Sequence, residues 1–198
     1  MCETVFEGRY DGAGKPIKNR ALLVIDVQNE YFSGKLPVCY PKDTLPNVLS
    51  VIDVAKSHNI PVVIVQHTLL AKNATAFLKG SHGWKLHDSV KDIKPEYYVE
   101  KNYPSSFVGT NLQEWLEANN IDTVVISGYM TQFCCDSTAK YAMHLGYNVE
   151  FLSDATATLG FKNEAGEVSA QELHRAILVH QAARFSYVLS TKEWIQRF

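Results

Sequence analysis

The sequence predicts an α/β fold: a three-layer α-β-α sandwich around a mostly parallel, Rossmann-like six-stranded sheet. Three observations predict it. Six short runs (residues 21–27, 62–66, 97–101, 123–127, 148–152 and 186–189) are apolar, and most are rich in Val and Ile. Most do not alternate apolar with polar positions, which marks strands covered on both faces. Helical periodicity fills the stretches between them, so strand and helix alternate from Ala21 to the end.

The elements follow in order. The first 19 residues are polar and carry Gly8, Gly12, Gly14 and Pro16, so they read as an N-terminal arm, with a single domain over 20–198. Helices are expected over 45–57, 110–118, 134–145 and 170–183, with a short last one over 191–197. The Thr110 hydroxyl can cap its helix by accepting from an unpaired backbone N–H. Asn59 and Gly146 stand where residues that end helices belong. Two segments break the rhythm: 32–44, and a long insertion over 68–95 that contains Gly80-Ser81-His82-Gly83-Trp84. Segments this long inside compact domains carry function or lack order.

Composition narrows the class. The chain has 198 residues, 46% of them hydrophobic and 20% charged, with a net charge of −2. One domain of this length buries about 70% of its unfolded surface. The apolar fraction excludes wholesale disorder. The near-neutral charge gives no Lys/Arg surplus for nucleic-acid phosphates or for a membrane surface. No apolar stretch approaches the length of a membrane span, and the N-terminus lacks the pattern of a signal peptide. Four cysteines, Cys2, Cys39, Cys134 and Cys135, do not make a disulfide framework, and adjacent ones pair poorly. The expected setting is the cytoplasm.

Ligands of an open parallel sheet bind beyond the carboxyl ends of its strands. Asp26 ends the first strand inside an apolar run, where a carboxylate is costly unless paired. It either caps a nearby loop or serves chemistry. Lys101 ends the third strand and reads either as a surface lysine or as a charge for the site. The fourth strand passes through Gly128 into a helix whose first turn holds Cys134 and Cys135. A thiolate is stabilised at a helix N-terminus and by a nearby Lys, and the free N–H groups of that turn can hold an oxyanion. Either cysteine can instead be a small buried apolar side chain. The two point about 100° apart on a helix, so at most one faces a cleft.

At these residues the chain resembles the isochorismatase-like cysteine hydrolases, a family that includes nicotinamidases, N-carbamoylsarcosine amidase, ureidoacrylate amidohydrolase and streptothricin hydrolase. Residues 22–32 (LLVIDVQNEYF) are similar to its opening strand, with Asp26 at the general-base position. Glu100-Lys101 followed by Ser105-Ser106-Phe107 is similar to its lysine segment. Gly128-x-x-Thr131-x-x-Cys134-x-x-x-Thr138-Ala139 matches its nucleophile turn, and Asp154-Ala155-Thr156-Ala157-Thr158 the segment after the fifth strand. The resemblance implies a catalytic trio of Asp26, Lys101 and Cys134, with Cys135 as packing. It implies an oxyanion hole from the backbone N–H groups of Met130 and Cys134, and a cis peptide between Tyr129 and Met130. It also implies hydrolysis of a C–N bond in a small amide, imide or ureido compound through a thioester.

Nicotinamidases carry an Asp-x-His…His metal site after the second strand. Here that stretch reads Gln66-His67-Thr68-Leu69-Leu70 and offers no ligand cluster, so no metal and no other cofactor is expected. His67 ends its strand as a candidate substrate contact. Phe32, Trp84, Phe107, Tyr129 and Phe161 are candidates for the pocket wall, with core packing the alternative for each. Two rival readings remain: isochorismatase-type cleavage of a vinyl ether, and a catalytically silent binding module. The expected partner is a small-molecule substrate. The apolar side chains of the last helices (Leu173, Ile177, Leu178, Trp194, Phe198) suit either a homo-oligomer, dimer or tetramer, or packing on the domain's own sheet.

Overall fold

The computed structural model describes residues 5, 8–14, 16–71 and 73–198. Part of the expected arm, Cys2 included, lies outside the described residues. The described strands are β1 (Arg20–Ile25), β2 (Val62–His67), β3 (Tyr97–Lys101), β4 (Thr123–Tyr129), β5 (Asn148–Ala157), β6 (Phe161–Asn163), β7 (Gly166–Val168) and β8 (Tyr187–Leu189). The helices are α1 (Thr44–Ser57), α2 (Asp88–Lys91), α3 (Leu112–Ala118), α4 (Asp136–His144), α5 (Ala170–Arg184) and α6 (Thr191–Ile195). All six expected strands pair into one sheet, in the order β3-β2-β1-β4-β5-β8, and every pairing is parallel.

The strand runs do not alternate because both faces are covered. Leu22 and Val24 of β1 face a core shared with Val48, Val51 and Ile52 of α1 and Trp194 of α6. Ala21, Leu23 and Ile25 face the opposite core, with Leu112 and Leu116 of α3 and Ala139 and Ala142 of α4. Each Val, Leu or Ile among them contributes roughly 1.5–3 kcal/mol on burial. This is the expected three-layer sandwich.

Local signals read from the sequence are met by specific bonds. The Thr110 hydroxyl accepts from the Leu112 N–H at 3.3 Å. Asn59 (φ 56°) and Gly146 (φ 84°) take the left-handed conformation after α1 and α4. Beyond those signals, Ser169 and Ser190 each open a helix with a reciprocal capping box, to Glu172 and Glu193. Two elements go beyond the expectation. The β6–β7 hairpin has three residues per strand around a polar tip, and α2 is one turn inside the 68–95 insertion. Elements this short carry no readable period.

At the amino end of the sheet, β5 buries Glu150 completely. Arg20 grips it through Nε at 2.8 Å and Nη2 at 3.0 Å, Arg197 at 2.8 Å, and the Trp194 indole N–H at 2.8 Å. This cluster ties α6 to the first residue of β1. Of the apolar side chains noted in the last helices, Trp194 therefore packs on the domain's own sheet, while Phe198 is exposed. Val179 of α5 is also exposed, and no described helix is long and apolar enough to cross a membrane.

Candidate active site

The chain order fixes where a site can form. From β1 the chain builds outward through β2 and β3, then returns beside β1 with β4 and builds the other way. The carboxyl ends of β1 and β4 therefore flank a switch point, where a crevice opens. Asp26 follows β1 directly and has left the extended conformation (φ 53°). Lys101 is the last residue of β3, and Cys134 lies in the turn after β4.

The three side chains meet. Lys101 Nζ is 2.8 Å from Asp26 Oδ2 and 3.1 Å from Cys134 Sγ. Asp26 and Lys101 are fully buried and Cys134 is 5% exposed. Lys101 also donates to the Tyr103 carbonyl at 3.2 Å and contacts His67 Nδ1 at 3.2 Å.

Backbone geometry at β4 permits this approach. Gly128 pairs with Ile25, just ahead of Asp26, and has φ 110°. A Cβ there would lie 1.9 Å from the Ile25 carbonyl oxygen, closer than any real contact. Only glycine fits this position. Gly128→Ala is expected to push β4 from β1 and to lower both soluble yield and thermal midpoint; a midpoint within 2 °C of wild type, on the scale of about 2–4 °C per kcal/mol, would refute the clash. The Tyr129–Met130 peptide is cis, as the resemblance implied. A π-helical turn, Thr131–Cys135, then leads into α4. The buried Thr131 hydroxyl bonds His174 Nδ1 at 2.9 Å, and His174 Nε2 donates to the Ser153 carbonyl at 2.9 Å. His174 thereby anchors the turn to α5 and β5. The sequence reading passed over it because an isolated histidine on a helix carries no pattern.

Electrostatics set the resting state. Burial pushes the Cys134 thiol well above its ordinary range, the charge of Asp26 adds to this, and Lys101 opposes it without prevailing. The expected stabilisation of a thiolate is thus outweighed by desolvation, and the resting sulfur is protonated. Burial also works against the Lys101 charge, but Asp26 and Cys134 hold its pKa above the usual lysine value. His67 is pushed down to about 4, first by burial and then by Lys101, with Asp26 opposing. Cys135 is completely buried in the core beneath the turn.

The other candidates divide. Phe32 meets Tyr129 edge-on at 5.5 Å, and both line a cavity of about 500 Å³ with Val38, Cys39, Leu45 and Pro46. A second cavity of about 480 Å³, between the arm and Met143, contains none of the candidate residues. His67 lies within the trio's own contacts. The Trp84 indole donates to Thr68 Oγ1 at 2.7 Å, which pins the insertion to the end of β2. Phe107 stacks on Tyr141 at 5.5 Å within the core on the α3–α4 side. Phe161 sits on β6, edge-on to the exposed Phe133 at 5.7 Å. Gln28 escaped the sequence reading although it is fully buried two residues past Asp26. Polar residues after a strand usually belong to solvated loops.

The residues after β2 do not fit a nicotinamidase-type metal. His67 Nδ1 faces the Lys101 ammonium, His82 bonds Ser33 at 3.0 Å, and His87 Nδ1 accepts from the Ser89 N–H at 3.2 Å. Among the described residues no group of three or more His, Cys, Asp or Glu converges as a ligand set.

Comparison with known proteins gives a consistent result. The family model for the isochorismatase domain matches residues 20–193. A structure from Burkholderia xenovorans LB400 assigned to the isochorismatases is 46% identical with a TM-score of 0.88, covering 91% of this chain and 88% of its own. Nicotinamidase 3 of Arabidopsis thaliana is 34% identical over 184 residues, 87% of this chain and 85% of its own length. N-carbamoylsarcosine amidase from Thermoplasma acidophilum is 26% identical with a TM-score of 0.74, covering 89% of this chain and 98% of its own. With a trio of Asp, Lys and Cys at its switch point and a family match across nearly the whole domain, the chain belongs to the isochorismatase family of hydrolases.

Proposed function

We propose that the protein is a cysteine-nucleophile amidohydrolase that cleaves a C–N bond of a small amide, imide or ureido compound. The observation that carries this reading is the Lys101 ammonium held between a carboxylate and a thiol, 2.8 Å from Asp26 and 3.1 Å from Cys134. The amidases among the relatives support it.

The chemistry follows from the resting charges. The thiol is too weak an acid to ionise alone, so Asp26 takes its proton as Sγ attacks the carbonyl carbon. Lys101 stays charged and offsets the negative charge that passes from carboxylate to sulfur. The oxyanion rests on the N–H groups of Met130 and Cys134. Collapse breaks the C–N bond, and the proton held by Asp26 goes to the leaving nitrogen, releasing ammonia or an amine. Water then attacks the thioester carbonyl and Asp26 takes one of its protons. The acid departs as that proton returns to the sulfur. Phe32 and Tyr129 are the candidates for seating the acyl group, and Trp84, Phe107 and Phe161 for shaping the surroundings. The scheme uses only side chains, backbone and water.

A panel of small amides, imides and ureido compounds tests the reading through ammonia release. Wild type is expected to act on at least one member, and Cys134→Ala to lose about 10³-fold or more, as nucleophile removal does elsewhere. Activity is expected to survive chelation. Equal activity in the two proteins would refute covalent catalysis, and vinyl ether cleavage independent of Cys134 would replace it.

A further inference from the structure

Lys101 has more hydrogen-bond acceptors around it than protons to give. An ammonium carries three N–H bonds. Four acceptors lie within reach: Asp26 Oδ2 at 2.8 Å, Cys134 Sγ at 3.1 Å, His67 Nδ1 at 3.2 Å and the Tyr103 carbonyl at 3.2 Å. The scheme above gives work to the first two. The imidazole is a buried titratable group that it leaves unused.

The geometry fixes the state of that ring. An ammonium donates and cannot accept, so His67 Nδ1 presents its lone pair to Lys101 and the neutral ring carries its proton on Nε2. The backbone of His67 is itself held on both sides. Gln28 Oε1 accepts from the His67 N–H at 2.8 Å, and Gln28 Nε2 donates to the His67 carbonyl at 3.0 Å. The Gln28 N–H donates to the Asp26 carbonyl at 2.7 Å. One fully buried amide side chain therefore ties the turn after β1 to the last residue of β2, the strand next to Lys101. The Phe77 ring meets the imidazole edge-on at 5.3 Å. The charged groups facing the ring are Lys101 from β3 and Asp26 from β1, and they act on it in opposite directions. An apolar side chain would fill this space without a polar ring beside an ammonium, so packing alone does not account for a histidine here.

We propose that His67 is a positioning residue: its Nδ1 lone pair holds the Lys101 ammonium in place while the Cys134 sulfur leaves and rejoins that ammonium's hydrogen bonds. This inference rests on the amidohydrolase reading. In the free enzyme four acceptors compete for three protons. Once the sulfur is acylated it becomes a poor acceptor, and Asp26, His67 and Tyr103 take one proton each. Lys101 is then fully bonded in the acyl-enzyme without moving, and stands ready when the sulfur is released.

The test compares His67→Leu, which removes the acceptor, with His67→Asn, whose amide oxygen can replace Nδ1. Imidazole ¹⁵N NMR of the wild type, with the His67 signals assigned by their absence in His67→Asn, is expected to show the Nε2–H form throughout pH 5–8. His67→Leu is expected to lose about 10- to 100-fold in kcat, the range for a lost hydrogen bond to a charged group. Its KM should stay within threefold, and the pH midpoint for iodoacetamide alkylation of Cys134 should move down, because three acceptors then share the three protons and the sulfur no longer competes with the imidazole. His67→Asn should recover at least half of the lost kcat on a logarithmic scale and restore the alkylation midpoint. Equal losses in the two variants, or a proton on Nδ1 at pH 7, would overturn the proposal. The tautomer and the alkylation need no substrate. A protein that releases no ammonia but keeps both signatures would refute the amidohydrolase reading while upholding the contact.

Discussion

Replacing Asp26 with Asn is expected to cut turnover by about 10²- to 10⁴-fold, the range for a lost general acid–base, while making Cys134 easier to ionise. The two effects point in opposite directions for one reason. The negative charge of Asp26 helps hold the thiol pKa up, and Lys101 pulls it down. With the carboxylate gone, Lys101 acts unopposed and the thiol pKa falls, although burial still keeps it raised. Asn has nearly the shape of Asp and leaves an oxygen for Lys101. Turnover falls nonetheless, because no group remains to carry the proton from sulfur to the leaving nitrogen. Two measurements check this: ammonia release, and the pH dependence of Cys134 alkylation followed by mass spectrometry of the peptide that contains it. The alkylation curve should move to lower pH. Turnover within threefold of wild type, or a curve that moves upward, would show that Asp26 is not the base.

The largest effect on stability is expected at the other end of the sheet. Glu150→Ala should cost about 3–5 kcal/mol, the range for breaking a buried ion pair by removing one partner. Four donor contacts, from Arg20, Arg197 and Trp194, converge on this carboxylate. Its loss strands the partly buried Arg20 guanidinium and the buried Trp194 indole N–H. For a chain of this size that corresponds to a fall in thermal midpoint of about 10 °C. Catalysis should be untouched below the transition, since the six residues of β1 separate Arg20 from Asp26 by about 20 Å at 3.3 Å per residue. Calorimetry of the variant checks the first claim and ammonia release at 20 °C the second. A midpoint within 3 °C of wild type would mean that desolvation of the charges already offsets their attraction.

What the sequence disclosed follows from how each feature is encoded. The inner strands β1, β2 and β4 were legible because burial on both faces writes itself as runs rich in Val, Ile and Leu, while the edge strands β3 and β8 are only partly covered and carry a weaker signal. Asp26 and Lys101 stood out as charges at the ends of such runs, and Cys134 as a thiol in the turn after another. Their meeting required the strand order, which joins residues 26, 101 and 134 across β1, β2, β3 and β4 and leaves no trace in local pattern. The contact between His67 and Lys101 was hidden for the same reason. His67 ends β2 and its partner sits one strand away, on β3. Phe107 and Phe161 were both aromatic residues near motifs. Phe107 is buried in the core beside Tyr147, while Phe161 is only partly buried against the opposite one, a difference set by tertiary packing rather than by sequence neighbours.

The cysteines of the fold differ sharply in access. Cys135 is sealed, Cys134 is barely open, and Cys39 is exposed in the wall of the cavity that Phe32 and Tyr129 line. A thiol-directed label will therefore meet Cys39 before it meets the trio. An adduct there narrows the space beside Tyr129, so loss of activity after labelling has two possible origins. With Cys2 and Cys39 both replaced by Ser, inactivation reports on Cys134. Conversely, a fluorophore placed at Cys39 turns that wall into a sensor of whatever enters the cavity.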